Sequence, residues 1–441
     1  MHQQDATVLR VHTSGLDDGL AWLDRHVNLE ATAGRVEGLS LERMRRLVAV
    51  LGDPQDAFPV IHITGTNGKG STARMITALL AEAGLTVGTY TSPHLQRINE
   101  RISRNGEPID DDELAMLFAD LERLEPIVGV ENSYFELVTA AALRWFADIA
   151  VDVGVIEVGL LGRYDATNVC VSTVAIVTNI GYDHTDGQWD WRLRIAQEKS
   201  GIVKPHSILV LGETDPALSS TFYAAGAEQI LERERDFDCT SNEVAIGGRL
   251  LSLRTPAAHY EDVFLSLHGA HQGDNAAVAL TAAEAFFASP LSGDVVETAL
   301  ASVTMPGRFE IVGREPLVVL DGAHSPEAAA CVAATLEEDF TRGGRTLVVI
   351  GMLQPRDPAA VLEALEVDDD SLVVACQPRS PRALPPERIA DAAEALGARV
   401  IIEPDVPAAI ERARAGADAI DTILITGSLY VVGEARSYLL G

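Results

Sequence analysis

Cysteine is scarce in this chain, with four in 441 residues. Cys170, Cys239, Cys331 and Cys376 lie far apart and form no C-x-x-C pair. That excludes a disulfide framework or a thiolate zinc site as the organising feature, and buried, reduced thiols are expected. No uninterrupted apolar run reaches the length of a membrane span, so no partnership with a membrane is expected. The polar start MHQQDATVLR lacks the basic and apolar regions of a secretory signal, and the cytoplasm is the expected location. Positive charge is short as well: 34 Lys and Arg against 65 Asp and Glu give a formal charge of −31. A field of that sign repels phosphate backbones and excludes nucleic acid as an expected partner. Any site for an anion must therefore make its own positive potential from lysine, arginine, magnesium or helix N-termini. Internal repeats of fixed period and low-complexity tracts are also absent.

What is present is the composition of a packed globular protein, 47% apolar and 22% charged, in a length that asks for two or three domains. Short Val- and Ile-rich runs alternate with longer helical patterns, the signature of parallel sheets covered by helices. Strands are expected at Val60–Thr64, Thr86–Thr91, Val151–Val158, Thr173–Asn179 and Ser207–Leu211. Between Phe237 and Leu267 the pattern becomes that of antiparallel hairpins, with a turn at Gly247 and Gly248. A second alternating series then predicts strands near Leu317–Leu320, Thr346–Ile350, Leu372–Ala375, Val400–Ile402 and Thr422–Ile425.

The segment Val60-Ile-His-Ile-Thr-Gly-Thr-Asn-Gly-Lys-Gly-Ser-Thr72 is an apolar strand entering a glycine-rich turn and then a helix, the setting of a phosphate loop. Gly65 and Gly68 free the backbone N–H groups to point inward, Lys69 brings a charge to the β- and γ-phosphates, and the helix start adds its partial positive charge. The loop departs from G-x-x-x-x-G-K-[ST]: Ile63 occupies the first glycine position, and Gly70 displaces the hydroxyl to Ser71 or Thr72. After Lys69, apolar Met75, Ile76, Leu79 and Leu80 fall at helical spacing, and Gly84 fits as the stop.

The string Thr64–Thr72, followed by Thr91-Ser-Pro-His-Leu95, resembles the folylpolyglutamate synthase and dihydrofolate synthase family, relatives of the Mur ligases. Collinear matches continue through Phe135-Glu136, Glu157–Asn168, Asp183-His184, Glu198–Ile202, His271-Gln272 with Asn275, Pro306–Arg308, Asp321–His324 and Thr426–Tyr430. The resemblance implies an α/β fold with an N-terminal P-loop ATPase-type parallel-sheet domain, expected over 1–300, and a smaller C-terminal Rossmann-like α/β domain over 306–441. It also implies a reaction: ATP phosphorylates a carboxylate, and the amine of L-glutamate then displaces phosphate, the acceptor being dihydropteroate or a reduced folate. Both activities in one monomeric enzyme are expected. A single activity, or a nucleotide-operated switch without chemistry, stays open.

Phosphoryl transfer is governed by position and by stabilisation of charge, so it asks for cations rather than a protein nucleophile. By resemblance, Thr66, Asn67, Gly68, Lys69, Gly70 and Ser71 bind ATP together with Asn275, Arg308 and Asp321. Ser92, Glu157 and His184 are implied to hold magnesium, of which two ions are expected, and Lys199 is implied to carry a carbamate. Lys69, Lys199 and His324 are the implied catalytic groups. Ser133, Tyr134, Phe135 and Glu136, with Tyr164, Asp165 and Ala166, are implied to receive the pteridine. Phe135 can stack on the heterocycle and Asp165 can accept from its N–H groups. Each has a plainer alternative: Lys199 as a surface lysine, Asn275 as a helix cap, Arg308 in an ordinary ion pair, His324 as a core histidine, Phe135 as packing. The chain departs from the family pattern at Leu161, where glycine is usual, at Tyr164 for leucine, at Ser325 for asparagine, and across Thr185–Arg194, which holds two tryptophans.

Overall fold

The computed structural model describes residues 14–28, 40–181, 189–340 and 343–441. Three sheets organise it. The first has eight strands in the order β4-β3-β2-β5-β1-β6-β7-β8. These are β1 Val60–Thr64, β2 Val87–Tyr90, β3 Ile102–Arg104, β4 Glu107–Pro108, β5 Val153–Glu157, β6 Ser172–Val177, β7 Ile208–Leu211 and β8 Gln229–Glu232. Along the order from β2 to β8 all pairings are parallel, whereas β3 pairs antiparallel with both β2 and β4. β1 and β5 are buried along their whole length, which is why they read as largely apolar runs.

Helix Lys69–Glu82 covers one face and buries Met75, Ile76, Leu79 and Leu80 completely against the helix His271–Phe287. Truncating any one of them to alanine is expected to cost about 2–5 kcal/mol. Gly84 follows at φ 95°, as the stop signal predicts. Helix Tyr134–Asp148 packs in a separate core on the other face. Strands β9 Asp238–Ala245, β10 Gly248–Arg254 and β11 His259–Leu265 form a separate antiparallel sheet. Its first turn is Ile246-Gly247 rather than Gly247-Gly248, because Gly248 already pairs with Ala245.

The third sheet runs β12-β13-β17-β14-β15-β16. Its strands are β12 Glu310–Arg314, β13 Leu317–Leu320, β14 Thr346–Ile350, β15 Leu372–Ala375, β16 Arg399–Ile402 and β17 Thr422–Thr426. All pairings are parallel except that of the edge strand β12. Among the described residues, no helix is long and apolar enough to cross a membrane. The four cysteines are free; Cys170 and Cys376 are buried, whereas Cys331 is exposed, against expectation.

Candidate active site

One cleft of about 2070 Å³ opens at the carboxyl ends of the first sheet's parallel strands and is closed on its far side by the third sheet. The strand order β5-β1-β6 sets its floor. β1 delivers the phosphate loop, β5 ends at Glu157 beside it, and the chain leaving β6 supports it from the other side. Asn179 Oδ1 accepts the Asn67 N–H at 3.0 Å, and Thr178 Oγ1 donates to the Asn67 carbonyl at 2.7 Å. Gly68 caps the helix at φ 80°, and a Cβ there would stand 2.3 Å from Asn275 Oδ1. Both the left-handed backbone and the close approach of Asn275 thus require glycine.

Lys69 Nζ folds back over its own loop, donating to the carbonyls of Gly65 at 3.1 Å and Thr66 at 3.2 Å. Thr66, Asn67, Gly70 and Ser71 line the cleft; Thr72 is fully buried, so Ser71 is the hydroxyl that faces it. Lys199 ends the helix Trp191–Lys199 and is only 3% exposed, with Nζ 2.8 Å from the Gly65 carbonyl. It is a buried group under the phosphate loop, not a surface lysine.

The Glu157 carboxylate is buried and accepts the Ser92 N–H on Oε2 at 3.2 Å. Burial pushes its pKa upward, opposed first by Lys69, then by the Ser92 N–H, Arg308 and Arg74. An acid set among three cations and next to a serine offers hard oxygen donors, which fits a magnesium or manganese ion sharing its shell with phosphate and water. His184 falls within 182–188, outside the described residues. Among the described residues, no cluster of three His, Cys, Asp or Glu forms a self-sufficient metal cage.

The opposite wall carries Arg308, Asp321 and His324, while Asn275 stands beside the phosphate loop itself. Asn275 sits inside the His271–Phe287 helix, not at its cap, and donates to Gln272 Oε1 at 2.9 Å. Asp321 is buried, and each of its oxygens accepts a backbone N–H, from Ala323 at 2.7 Å and Phe309 at 2.8 Å. Burial raises its pKa, with Arg308 the strongest opposing influence. His324 is half-buried, its Nδ1 3.1 Å from the Gly322 carbonyl. Ser325 caps the helix Pro326–Asp339, its Oγ accepting from the Ala328 N–H at 3.3 Å, a job asparagine does equally well.

The acceptor segments reach the same cleft, but their polar groups have local work. Ser133 and Glu136 form a reciprocal capping box on the Tyr134–Asp148 helix. Glu136 also pairs with Arg43 at 3.2 Å. Tyr134 is buried under the Arg101 guanidinium, 5.6 Å from the ring centre. Asp165 is buried and accepts the Leu160 N–H at 2.8 Å and the Thr167 N–H at 3.0 Å, with the Thr167 hydroxyl also on Oδ1. Burial raises its pKa against those bonds. Thr167 in turn holds His62 Nε2 at 2.9 Å. Phe135 lies on Gly159, where a Cβ would come within 2.3 Å of the ring, and Tyr164 stands 43% exposed on the wall next to buried Ala166. Leu161 adopts φ 57°, the left-handed conformation that glycine takes without strain.

Residues outside the quoted motifs also line the cleft, Arg74 and Arg101 on the first side and Arg356, Arg379 and Arg382 on the second, and so does His94 of the Thr91–Leu95 string. In a chain this acidic, arginines converging on one cavity are informative, but only the fold brings them together.

A phosphate-loop sheet facing a second parallel α/β unit across a cleft, with an acid and a buried lysine at the loop, defines an ATP-dependent ligase of the Mur class. Residues 63–283 match the Mur ligase middle domain and 307–429 the Mur ligase glutamate ligase domain. Within that class, the chain belongs to the folylpolyglutamate synthase/dihydrofolate synthase family. It is 38% identical to the dihydrofolate synthase/folylpolyglutamate synthase of Mycobacterium tuberculosis, over 90% of this chain and 89% of that one. The structure of M. tuberculosis folylpolyglutamate synthase complexed with ADP and AMPPCP superposes with a TM-score of 0.88 at 36% identity, covering 97% and 98% of the two chains. A bifunctional folylpolyglutamate synthase/dihydrofolate synthase with Mn, AMPPNP and L-glutamate bound gives a TM-score of 0.83 at 29% identity, covering 97% and 99%. The Escherichia coli FolC complex with DHPP and ADP gives 0.83 at 31% identity, covering 96% and 97%.

Proposed function

We propose that this chain joins L-glutamate to dihydropteroate and to reduced folates, using ATP and magnesium and releasing ADP and phosphate. The observation that carries the reading is the single cleft of about 2070 Å³ into which the phosphate loop, an aromatic-walled pocket and a wall of arginines all open. A pocket for one small ligand is typically about 300–1,000 Å³, so this one has room for three.

Lys69, the loop amides and Arg308 hold the triphosphate and spread the charge that develops on the γ-phosphoryl group. Glu157 and Ser92 hold the metal, with His184 as a further ligand, and the metal supplies neutralisation of the phosphate oxygens. An oxygen of the acceptor carboxylate attacks the γ-phosphorus, ADP leaves, and an acyl phosphate results. The glutamate amine then attacks the acyl carbon, an amide forms, and phosphate leaves with one of the original carboxylate oxygens. Asn275, from the His271–Phe287 helix, and Asp321 and His324, from the third-sheet side, frame the nucleotide. Phe135 and Tyr164 flank the pterin, while Ser133, Glu136 and Asp165 fix the backbone that shapes its pocket. Arg356, Arg379 and Arg382 are the cations suited to glutamate's carboxylates. In the same reading, Lys199 carries a carbamate, which replaces a cation by an anion beneath the loop, and residues 1–300 and 306–441 act as the two domains.

The test offers purified protein ATP, magnesium and L-glutamate with dihydropteroate in one reaction and a reduced folate monoglutamate in another, read by product mass. Product in both is expected. Product in one alone makes the enzyme monofunctional, and product in neither, from protein that binds ATP, overturns the substrate assignment.

A further inference from the structure

Two of the contacts made on the third-sheet unit, one from the antiparallel sheet and one from the first sheet, differ in kind. Asp339, on the Pro326–Asp339 helix, receives Arg249 Nη1 of β10 at 2.5 Å and faces His268 Nδ1 at 3.1 Å. That contact is buried, charged and outside the cleft lining. The other lies beside the phosphate loop, in the turn that begins at Ser92. Glu100 pins this turn by accepting the N–H groups of Leu95 at 2.7 Å, Gln96 at 3.0 Å and Arg97 at 2.9 Å. The Leu95 side chain then leaves its own sheet and packs into the core of the third.

Two glycines make room for it. A Cβ on Gly433 would stand 2.3 Å from the Leu95 carbonyl oxygen, and one on Gly307 would stand 2.9 Å from Leu95 Cδ2. The next residue adds hydrogen bonds: Gln96 Nε2 donates to Ser437 Oγ at 2.8 Å, and Arg436 Nη1 donates to Gln96 Oε1 at 2.5 Å. Gly433 and Ser437 are four residues apart on one face of the helix Leu429–Leu440. Ser428 caps that helix, its Oγ accepting the Val431 N–H at 3.3 Å. The Thr426–Tyr430 motif, which the nucleotide and acceptor assignments leave without a role, thereby starts and orients the helix that receives Leu95.

Leu95 is three residues from Ser92, whose N–H is bonded to Glu157. We propose that Leu95 and Gln96 are positioning residues: a latch by which docking of the third sheet sets the Ser92–Glu157 pair, so that cleft closure and a competent metal site are one event. This rests on the reading of Ser92 and Glu157 as metal-holding groups given above.

The test attacks the latch from both sides with Leu95→Ala and Gly433→Ala, with Leu95→Met as the conservative control and Gln96→Ala removing the hydrogen bonds alone. Losing a group that orients a metal ligand typically weakens metal affinity about 10–100-fold, so both disrupting variants are expected to raise the half-saturating Mn²⁺ for AMPPNP binding by about tenfold. Binding of the nucleotide without metal stays near that of the parent, kcat falls while KM for ATP holds, and the Ser92 amide exchanges faster with deuterium. Leu95→Met restores most of each loss, and Gln96→Ala shows the same changes at smaller size. Folded Leu95→Ala and Gly433→Ala proteins with unchanged Mn²⁺ requirement and unchanged Ser92 exchange would overturn the proposal. Because metal binding and exchange need no turnover, they decide the latch even where the ligase assay fails and removes the substrate assignment alone.

Discussion

The two sides of the cleft use their polar residues in opposite ways. On the phosphate side, Lys69, Ser71 and Glu157 line the cavity on elements that other residues hold in place. On the acceptor side, Ser133 and Glu136 satisfy each other across a helix start, and Asp165 is consumed by three donors from Leu160 and Thr167. In the proposed reading, one motif class therefore supplies reagents and the other supplies scaffold. A match to a motif gives the location of a site, and the hydrogen-bond account of each side chain decides its job.

That contrast can be broken by mutation. The largest effect belongs to the phosphate side: Lys69→Ala is expected to lower kcat by at least about a hundredfold, the scale of losing one charge-stabilising donor, without a matching loss of stability. Steady-state kinetics with a thermal melt check it, and a parallel collapse of the melt would make Lys69 scaffold too.

Next comes the support beneath the acceptor loop. Burial, then the charge of Lys204, lowers the pKa of His62 from its ordinary 6.5 to about 3. The unfolded chain takes up a proton below pH 6.5 and the folded one does not until about pH 3, so this stability is complete above 6.5 and lost as the pH falls. Between pH 7 and pH 5 the loss is about 2 kcal/mol, at roughly 1.4 kcal/mol per pH unit below 6.5. Urea unfolding of the parent and of His62→Gln at both pH values should show the parent losing that much more. Equal losses would contradict the buried neutral imidazole.

The smallest effect sharpens the contrast most. Ser133→Ala removes a helix cap and is expected to cost about 1 kcal/mol of stability. The acceptor KM is expected to stay where it was. A large rise in acceptor KM with unchanged stability would make Ser133 a substrate ligand and erase the difference between the two sides.

Much of this architecture was legible in the residues. The strands buried on both faces, such as β1, β5 and β14, announce themselves as apolar runs, and their positions match the expectation. β3, β4, β8 and β12 did not, because short or edge strands carry no sustained pattern. The phosphate loop was readable because its chemistry is local: strand, glycines, lysine and helix are consecutive. Ser133-x-x-Glu136 is the signature of a capping box as well as part of the acceptor motif, so the same residues carry both patterns. The Leu161 departure now has a cost attached, a left-handed leucine at φ 57°. The docking of Leu95 and the convergence of the arginines at 356, 379 and 382 were not legible, because their partners are assembled by long-range packing rather than by neighbours in sequence.

The measurement closest to the central claim follows one oxygen atom. Dihydropteroate labelled with ¹⁸O in its carboxylate is turned over with ATP, magnesium and L-glutamate, and the released phosphate is examined by mass spectrometry. An acyl phosphate intermediate predicts one ¹⁸O in each phosphate formed, in step with the amide product. Amide product accompanied by unlabelled phosphate would contradict carboxylate activation by γ-phosphoryl transfer, and with it the roles given to Lys69, Arg308 and Glu157.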